Sequence, residues 1–414
     1  MEALSSGRTG KRRVVITGLG VFTAIGKSVP QFRSSLERGE AGIDEVTLFD
    51  VSKYPSKIAA QIKNFDPAEY FERRESRRLS RADQFALIAA QEAIRDARIE
   101  VDGVAHPEIG VCLGAGAGGM LSAERYHRQL LLNEKERPRP SLLLPFPPSY
   151  STDVVSRRYG LCGPKATITT ACSSSATAIG YGADLIKRGY ADVMICGGSD
   201  AMSELTFGGF NTLRVVDPEP CKPFDARRMG MSLGEGAAIV ILEELDWALG
   251  RGIAIYSEFL GYSTVGEAHH MTAPEASGTE QSRAMREAMR ASRVRPDEVD
   301  YINAHGTGTP LNDRVETLAI KVAFGEKAYS IPVSSIKSMV GHCLGSAGAV
   351  EAVSSILSIA FGFIPPTVNY RERDGDCDLD YVPDRSRREP VRTVLSNSFA
   401  FGGNCTTLLL RKYD

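Results

Sequence analysis

The stretch Thr169-Thr170-Ala171-Cys172-Ser173-Ser174-Ser175-Ala176 decides the reading of this chain. It ends the strand-like run Lys165–Ala171 and leads into small residues, Ala176 to Ala183, that read as a buried helix ending near Lys187-Arg188-Gly189. A cysteine therefore stands at a strand-to-helix turn, near the positive end of a helix dipole. A thiol there is expected to ionise more readily and to act as a nucleophile. Two histidines stand in glycine-rich loops much later: His305 in Asn303-Ala304-His305-Gly306-Thr307-Gly308-Thr309, and His342 in Lys337-Ser338-Met339-Val340-Gly341-His342. Glycine lets a backbone approach a ligand closely, and one cysteine with two loop histidines points to covalent acyl chemistry.

The chain repeats this arrangement. Ile331–Ile336 is a second strand-like run, and it meets Lys337 and His342 before small residues at Gly345, Ala347, Ala349 and Ala352. Met231-Ser232-Leu233-Gly234-Glu235-Gly236 precedes a strand-like Ala237–Glu243, as Phe399-Ala400-Phe401-Gly402-Gly403 precedes Thr406–Arg411. The shared order of strand, reactive turn, small-residue helix, glycine-rich loop and strand implies a duplication with weak sequence identity. A boundary near Ser257–Gly261 divides residues 1–258, which carry the cysteine, from 259–414, which carry the histidines, and puts the active site where the halves meet. Strand-like Arg13–Gly18, Glu108–Gly114 and Ala191–Gly197, alternating with helical Arg81–Ala97, predict an α/β architecture with helix-covered sheets. Two segments fall outside the pattern: Pro138–Pro148 is proline-rich and too irregular for a helix, and Leu205 to Pro223 reads as a loop.

Composition narrows the function classes. With 43% hydrophobic and 24% charged residues among 414, the chain reads as an ordinary soluble globular protein with two core-bearing units. A formal charge of -2 supplies no global field for nucleic acid or an anionic membrane, so an anionic partner must meet a local basic patch. The eight cysteines form no C-x-x-C pair and resemble neither a disulfide framework nor a zinc site, which predicts reduced thiols, cytoplasmic residence and no bound metal. No window approaches the roughly 18 apolar residues of a membrane span, and Val14–Gly20 reads as a buried first strand rather than a signal core. Gly114-Ala115-Gly116-Ala117-Gly118-Gly119 satisfies G-x-G-x-x-G, but two strand candidates precede it. Close backbone packing beside a pocket is a better reading than a pyrophosphate cradle. Arg73-Arg74-Glu75-Ser76-Arg77-Arg78-Leu79-Ser80-Arg81 is a basic cluster, readable as a solvated helix start or as a dock for an acidic protein.

Thr170-Ala171-Cys172-Ser173-Ser174-Ser175, the His305 loop through Pro310 and Lys337–His342 together resemble the β-ketoacyl-acyl carrier protein synthases, in particular the elongating type II (KAS II-like) condensing enzymes. Lys222-Pro223-Phe224-Asp225, Gly234-Glu235-Gly236-Ala237, His270-Met271-Thr272-Ala273-Pro274, Cys377–Pro383 and Asn397–Gly403 extend the similarity from about Arg13 to Arg411. The resemblance implies a thiolase fold, two duplicated halves in a five-layer α-β-α-β-α sandwich. It also implies a homodimer, or a heterodimer with a chain-length partner. The implied reaction is a decarboxylative Claisen condensation in fatty acid biosynthesis. An acyl chain passes from acyl carrier protein to Cys172, malonyl-carrier protein loses carbon dioxide, and its enolate attacks the acyl-Cys172 carbonyl. The enzyme itself binds no cofactor; phosphopantetheine arrives on the carrier protein.

The same resemblance assigns roles. Cys172 is the nucleophile, its backbone N–H and that of Phe401 form the oxyanion hole, and neutral His305 and His342 donate to the malonyl thioester oxygen. Lys337 matches an active-site lysine, counted with Cys172, His305 and His342 in the catalytic set, and Glu351 its acid; their role is read as supporting rather than direct, in part as an ion pair that fixes the His342 loop, with Asp313 and Glu316 as further supporting residues. Thr307 and Thr309 match hydroxyls that contact the phosphopantetheine arm, with Ala117, His270 and Phe399 as substrate-binding positions and Phe401 as the gate. Arg77, Arg81, Arg137, Arg139 and Arg214 lie in segments matching the carrier-docking surface. Two positions depart from the family pattern: Ala400 stands where glycine is usual, so its Cβ restricts the gating loop, and Ala117 stands where a bulkier residue is common, leaving room for the acyl chain. These departures, together with the unusual Pro138–Pro148 loop, favour, as an alternative, a specialised synthase extending a polyketide or polyene chain. A catalytically silent chain-length partner and a degradative thiolase are opposed by Cys172 together with both histidines.

Overall fold

The computed structural model describes residues 12–101, 105–132 and 138–414. Ten strands form its main sheet. In chain order they are β1 (Val14–Thr23), β2 (Ile109–Gly114), β3 (Lys165–Ile168), β4 (Val193–Asp200) and β5 (Gly236–Glu244), then β6 (Ser257–Gly266), β7 (Tyr301–Asn303), β8 (Val333–Ser334), β9 (Thr393–Ala400) and β10 (Asn404–Arg411). The spatial order is β8-β7-β9-β10-β6-β1-β5-β4-β2-β3. Outward from the central junction the halves run β1-β5-β4-β2-β3 and β6-β10-β9-β7-β8. In both, the two inner pairings are antiparallel and the two outer ones parallel. The duplication inferred from the motifs is thus a duplication of topology. Among the described strands of the main sheet, the two halves pair where Val14–Ile16 meets Ser257–Phe259.

The helices that matter for the site are α1 (Arg81–Asp96), α2 (Met120–Leu131), α3 (Ser174–Lys187), α4 (Glu204–Thr212), α5 (Thr279–Ser292), α6 (Pro310–Phe324) and α7 (Ala347–Phe361). Alternation along β4 decides the layers. Met194 and Cys196 face the core that holds α3 and α7, while Val193 and Ile195 face the core that holds α1. Helices α3 and α7 touch strands of both halves, α1 covers the outside of the first and α5, backed by α6, the outside of the second. The result is the five-layer α-β-α-β-α sandwich.

The small residues of the central helices have a steric cause. A Cβ at Gly182 would come 2.2 Å from Cys196 Sγ, and one at Gly348 would come 2.7 Å from Ala176 Cβ. Two expectations are corrected here. Leu344–Phe361 is an 18-residue stretch apolar enough to pass for a membrane span, but 89% of it is buried inside the protein, as the central core helix. The segment read as a loop from Leu205 begins as helix α4, started by a capping box in which Ser203 accepts from Thr206 N–H.

Candidate active site

The run of serines after Cys172 builds the turn that carries it. Ala171 has φ +51°, an unusual value for a residue with a Cβ. Ser174 Oγ donates to Ala171 O at 2.6 Å and accepts from Thr170 N–H at 2.9 Å, while Ser173 Oγ donates to Thr170 O at 2.9 Å. Ser175 Oγ accepts from Ala349 N–H of the other half at 2.9 Å. Each hydroxyl locks the turn, and the turn puts Cys172 at the head of α3, with the N–H groups of Phe401 and of Cys172 itself reaching its sulfur. The expected acidification is overturned. Burial pushes the thiol up to about 11, and Lys337 and those two N–H groups pull it down by less.

His305 follows β7, and α6 reaches back to hold its loop. Glu316 accepts from the N–H groups of His305 and Gly306, both at 2.8 Å, and from Asn397 Nδ2 at 3.2 Å. Asp313 accepts from Phe224 N–H at 2.8 Å and Gly308 N–H at 3.2 Å. Both carboxylates are fully buried, and burial pushes Glu316 up to about 7. Lys337 spends its three protons on Glu351, on His305 O at 2.6 Å and on His305 Nδ1 at 3.3 Å. The Lys337–Glu351 pair therefore fixes His305, not the His342 loop as expected. With Nδ1 an acceptor, the His305 proton sits on Nε2.

His342 reaches the same state by another route. Its Nδ1 accepts from Leu344 N–H at 3.0 Å, so Nε2 carries the proton, and buried Nε2 has no partner. Burial and the nearby Lys337 hold His305 well below the ordinary histidine range and push His342 down to about 3. Both imidazoles are neutral, with ring centroids 5.6 Å apart and planes at 85°. They line one cavity of about 310 Å³ together with Cys172, Thr307, Thr309, His270, Phe399 and Phe401.

Phe401 stacks on Phe210 of α4 at 5.7 Å, so the helix missed in the sequence supports the residue expected to gate the cavity. Gly403 has φ +76°, and a Cβ there would meet Glu267 O at 1.9 Å. Ala400 lies at φ -123°, extended backbone open to any residue, so its Cβ is accommodated in this conformation. Ala117 does not reach the cavity. It packs with Met202, Phe207 and Leu344 in a separate apolar cluster. His270 is exposed at the rim, its Nδ1 accepting from Thr272 N–H at 3.1 Å.

Of the arginines expected to dock a carrier protein, Arg77, Arg139 and Arg214 are exposed, and Arg77 and Arg139 share a surface hollow with Arg125. Arg214 precedes Val215, which lines the cavity. Arg81 borders the same hollow, but its guanidinium turns inward to the fully buried Glu235 at 2.6 Å and to Ile62 O at 2.8 Å. It is a structural ion pair rather than a docking residue. Arg137 lies outside the described residues.

Three residues escaped the sequence reading. Asp200, at the end of β4, accepts from the N–H groups of Gly116, Ala117, Gly118 and Gly345 at 2.6–2.9 Å. Those of the Gly114–Gly119 loop are the groups that a pyrophosphate would need, so the dinucleotide reading fails because an internal carboxylate fills the cradle. Phe210 sat in the supposed loop. Gln281, buried on α5, lines the cavity with its Oε1 unpartnered, and no local motif announces it.

A nucleophile at a helix head, faced by two imidazole donors across a cavity, on a duplicated five-layer frame, defines a ketosynthase of the thiolase fold. The chain belongs to the beta-ketoacyl synthase family, whose N-terminal domain model matches residues 11–248 and C-terminal domain model residues 256–371. It is 42% identical over 411 residues to 3-oxoacyl-[acyl-carrier-protein] synthase 2 of Synechocystis sp., covering 98% of this chain and 99% of that one. The solved ishigamide ketosynthase/chain length factor aligns with a TM-score of 0.93 and 36% identity, over 98% of this chain and 100% of that one. A type II polyketide ketosynthase solved with its acyl-carrier protein and a bound hexaketide aligns with a TM-score of 0.89 and 32% identity, over 98% and 100%.

Proposed function

We propose that this chain condenses an acyl group held on Cys172 with malonyl-acyl carrier protein, giving a 3-oxoacyl-acyl carrier protein two carbons longer. The observation that carries this reading is the pair of buried imidazoles, each with Nδ1 held by a neighbouring donor and Nε2 left to donate, in one cavity with the thiol. Cys172 sulfur bonds to the incoming acyl carbon as the pantetheine C–S bond breaks, and the thiol proton ends on the departing pantetheine sulfur. The malonyl C–C bond then breaks, its electrons pass into an enolate, and carbon dioxide leaves. His305 and His342 donate Nε2–H to the enolate oxygen; one such donor is worth about 2.7–4 kcal/mol of barrier. The enolate carbon attacks the acyl-Cys172 carbonyl, whose oxyanion meets the N–H groups of Cys172 and Phe401. Collapse expels the Cys172 thiolate, which takes a proton from water. Lys337 is a positioning residue for His305, and Asp313 and Glu316 hold its loop.

Fatty acid elongation fits the full-length likeness to 3-oxoacyl-[acyl-carrier-protein] synthase 2. The specialised reading, extension of a polyketide or polyene chain, has secondary support in the likeness to a type II polyketide ketosynthase solved with a bound hexaketide. A degradative thiolase would use a second reactive cysteine. Cys405 does line the cavity, but it sits in an apolar cluster with Val265, Ala284 and Phe399, and burial pushes its thiol up to about 12.

The carrier protein is an acidic partner for exposed Arg77, Arg139 and Arg214. Dimerisation, with a second copy or with a chain-length partner, would cover the edge strand β3 and the exposed Leu130, Leu131, Leu144 and Phe146. Eight unpaired cysteines suit a reducing cytoplasm. Phosphopantetheine reaches the site on the carrier, and no step above needs a cofactor resident in the enzyme. Intact-protein mass spectrometry after mixing with saturated and polyene acyl-carrier proteins of graded length tests the reading. An adduct absent in Cys172→Ala supports it, the preferred donor decides between the two pathways, and no adduct from any donor overturns it.

A further inference from the structure

The duplication supplies a second, chemically silent copy of the nucleophile turn. In the first half, positive-φ Ala171 opens the turn Ala171–Ser173 and α3 follows; in the second, Leu344 at φ +53° opens Leu344–Ser346 and α7 follows. Ser173 Oγ bonds Thr170 O as Ser346 Oγ bonds Cys343 O. This equivalence pairs Cys172 with Gly345. It also pairs β4 with β9, both eight residues long, so Asp200 matches Ala400, which precedes Phe401. In the working site, backbone N–H groups converge on the Cys172 sulfur. In its copy, the Gly345 N–H converges with three others on the Asp200 carboxylate.

We propose that Asp200 is a positioning residue for His342: its carboxylate is a built-in anion that occupies the silent half-site and pins the turn that sets the His342 tautomer. The chain of contacts is short. Asp200 Oδ2 accepts from Gly345 N–H at 2.6 Å, and the preceding residue, Leu344, gives its N–H to His342 Nδ1 at 3.0 Å. Leu344 holds a left-handed backbone that costs a side-chain-bearing residue energy, so the turn needs an external hold. Gly345 can be nothing larger, since a Cβ would lie 2.4 Å from Gly116 N and 2.6 Å from Asp200 Oδ2. Asp200 has no cation within ion-pair distance among the described residues; its charge is met by backbone dipoles alone. The proposal rests on the condensing reading above, because it assigns Asp200 to the decarboxylation half-reaction.

Asp200→Asn is nearly isosteric but turns one oxygen into a donor. Oδ1 serves Ala117 and Gly118 and Oδ2 serves Gly116 and Gly345, so either amide orientation opposes two N–H groups. In full-length protein, carbon dioxide release from malonyl-carrier protein should fall by about 10–100-fold, while Cys172 acylation stays within about threefold of the parent. In ¹⁵N-histidine-labelled protein, the His342 ring should shift from a fixed Nε2–H tautomer to a mixture. Asp200→Glu keeps the carboxylate and so guards against a failure of Asn to fold; it should lose decarboxylation by less, again sparing acylation. A parallel fall of both half-reactions in either variant, or an unchanged His342 tautomer in Asp200→Asn, overturns the proposal. If the unmutated protein forms no acyl-Cys172, the condensing reading fails instead.

Discussion

Replacing Glu351 with Gln removes the carboxylate that meets Lys337 and leaves that ammonium buried with only two neutral acceptors, both on His305. Breaking a buried pair by removing one partner costs about 3–5 kcal/mol. Unfolding entropy of about 2.1 cal/mol/K per residue gives roughly 0.9 kcal/mol/K for a chain of this length, so Tm should drop by about 3–6 °C. The chemical effect is separate. Without its counter-charge Lys337 no longer holds a fixed donor against His305 Nδ1, and decarboxylation should fall by about 10–100-fold. Scanning fluorimetry reads the first effect and carbon dioxide release from malonyl-carrier protein the second. The double variant Lys337→Met/Glu351→Leu removes both charges at similar volume; it should recover most of the lost stability and none of the lost decarboxylation. A Glu351→Gln protein with unchanged Tm and full decarboxylation would refute this account of the pair, as would a double variant that regains activity along with stability.

His305→Ala should retain acylation of Cys172 and lose about 10²–10³-fold in decarboxylation, measured as separate half-reactions; equal loss in both would contradict a donor role. Arg77→Glu should raise KM for acyl-carrier protein while sparing small thioester substrates, whereas Arg81→Glu should lower Tm by placing a second carboxylate against Glu235. Should Arg81→Glu fold normally and weaken only carrier binding, its assignment to the interior is wrong. Alkylation of Cys172 by iodoacetamide should rise with pH up to about 11, because the thiolate is only about one part in ten thousand at pH 7 when burial holds the thiol there. A rate that levels off below pH 9 would restore the acidified thiol first expected from the helix dipole.

The central residues of the proposed site were legible because their motifs are local. Cys172, His305 and His342 each sit in a short run whose neighbours build the turn, as the three serines after Cys172 do through their own hydroxyls. The duplication was legible for the same reason, since strand, turn and small-residue helix recur in order. What could not be read is whatever depends on where distant segments meet. Asp200 resembles any acid after an apolar strand until Gly116 and Gly345 are seen against it. Arg81 looks like the end of a solvated basic run until Glu235, 154 residues away, takes its guanidinium. The Cys172 thiol looked acidic because the helix head is visible in sequence and the depth of burial is not. Helix α4 was missed although its start is marked by Ser203, whose side chain accepts from Thr206 N–H in a capping box.

The central claim is that Cys172 holds an acyl group that an enolate formed at His305 and His342 then removes. The direct measurement is a single turnover: protein acylated at Cys172 is mixed with malonyl-carrier protein, and enzyme and carrier are weighed by mass spectrometry over time. The account predicts that the acyl mass leaves the enzyme as a 3-oxoacyl-carrier protein two carbons longer accumulates, with one carbon dioxide released per acyl group lost. An acyl-Cys172 that persists, or that is discharged by hydrolysis while malonyl-carrier protein stays intact, would contradict it.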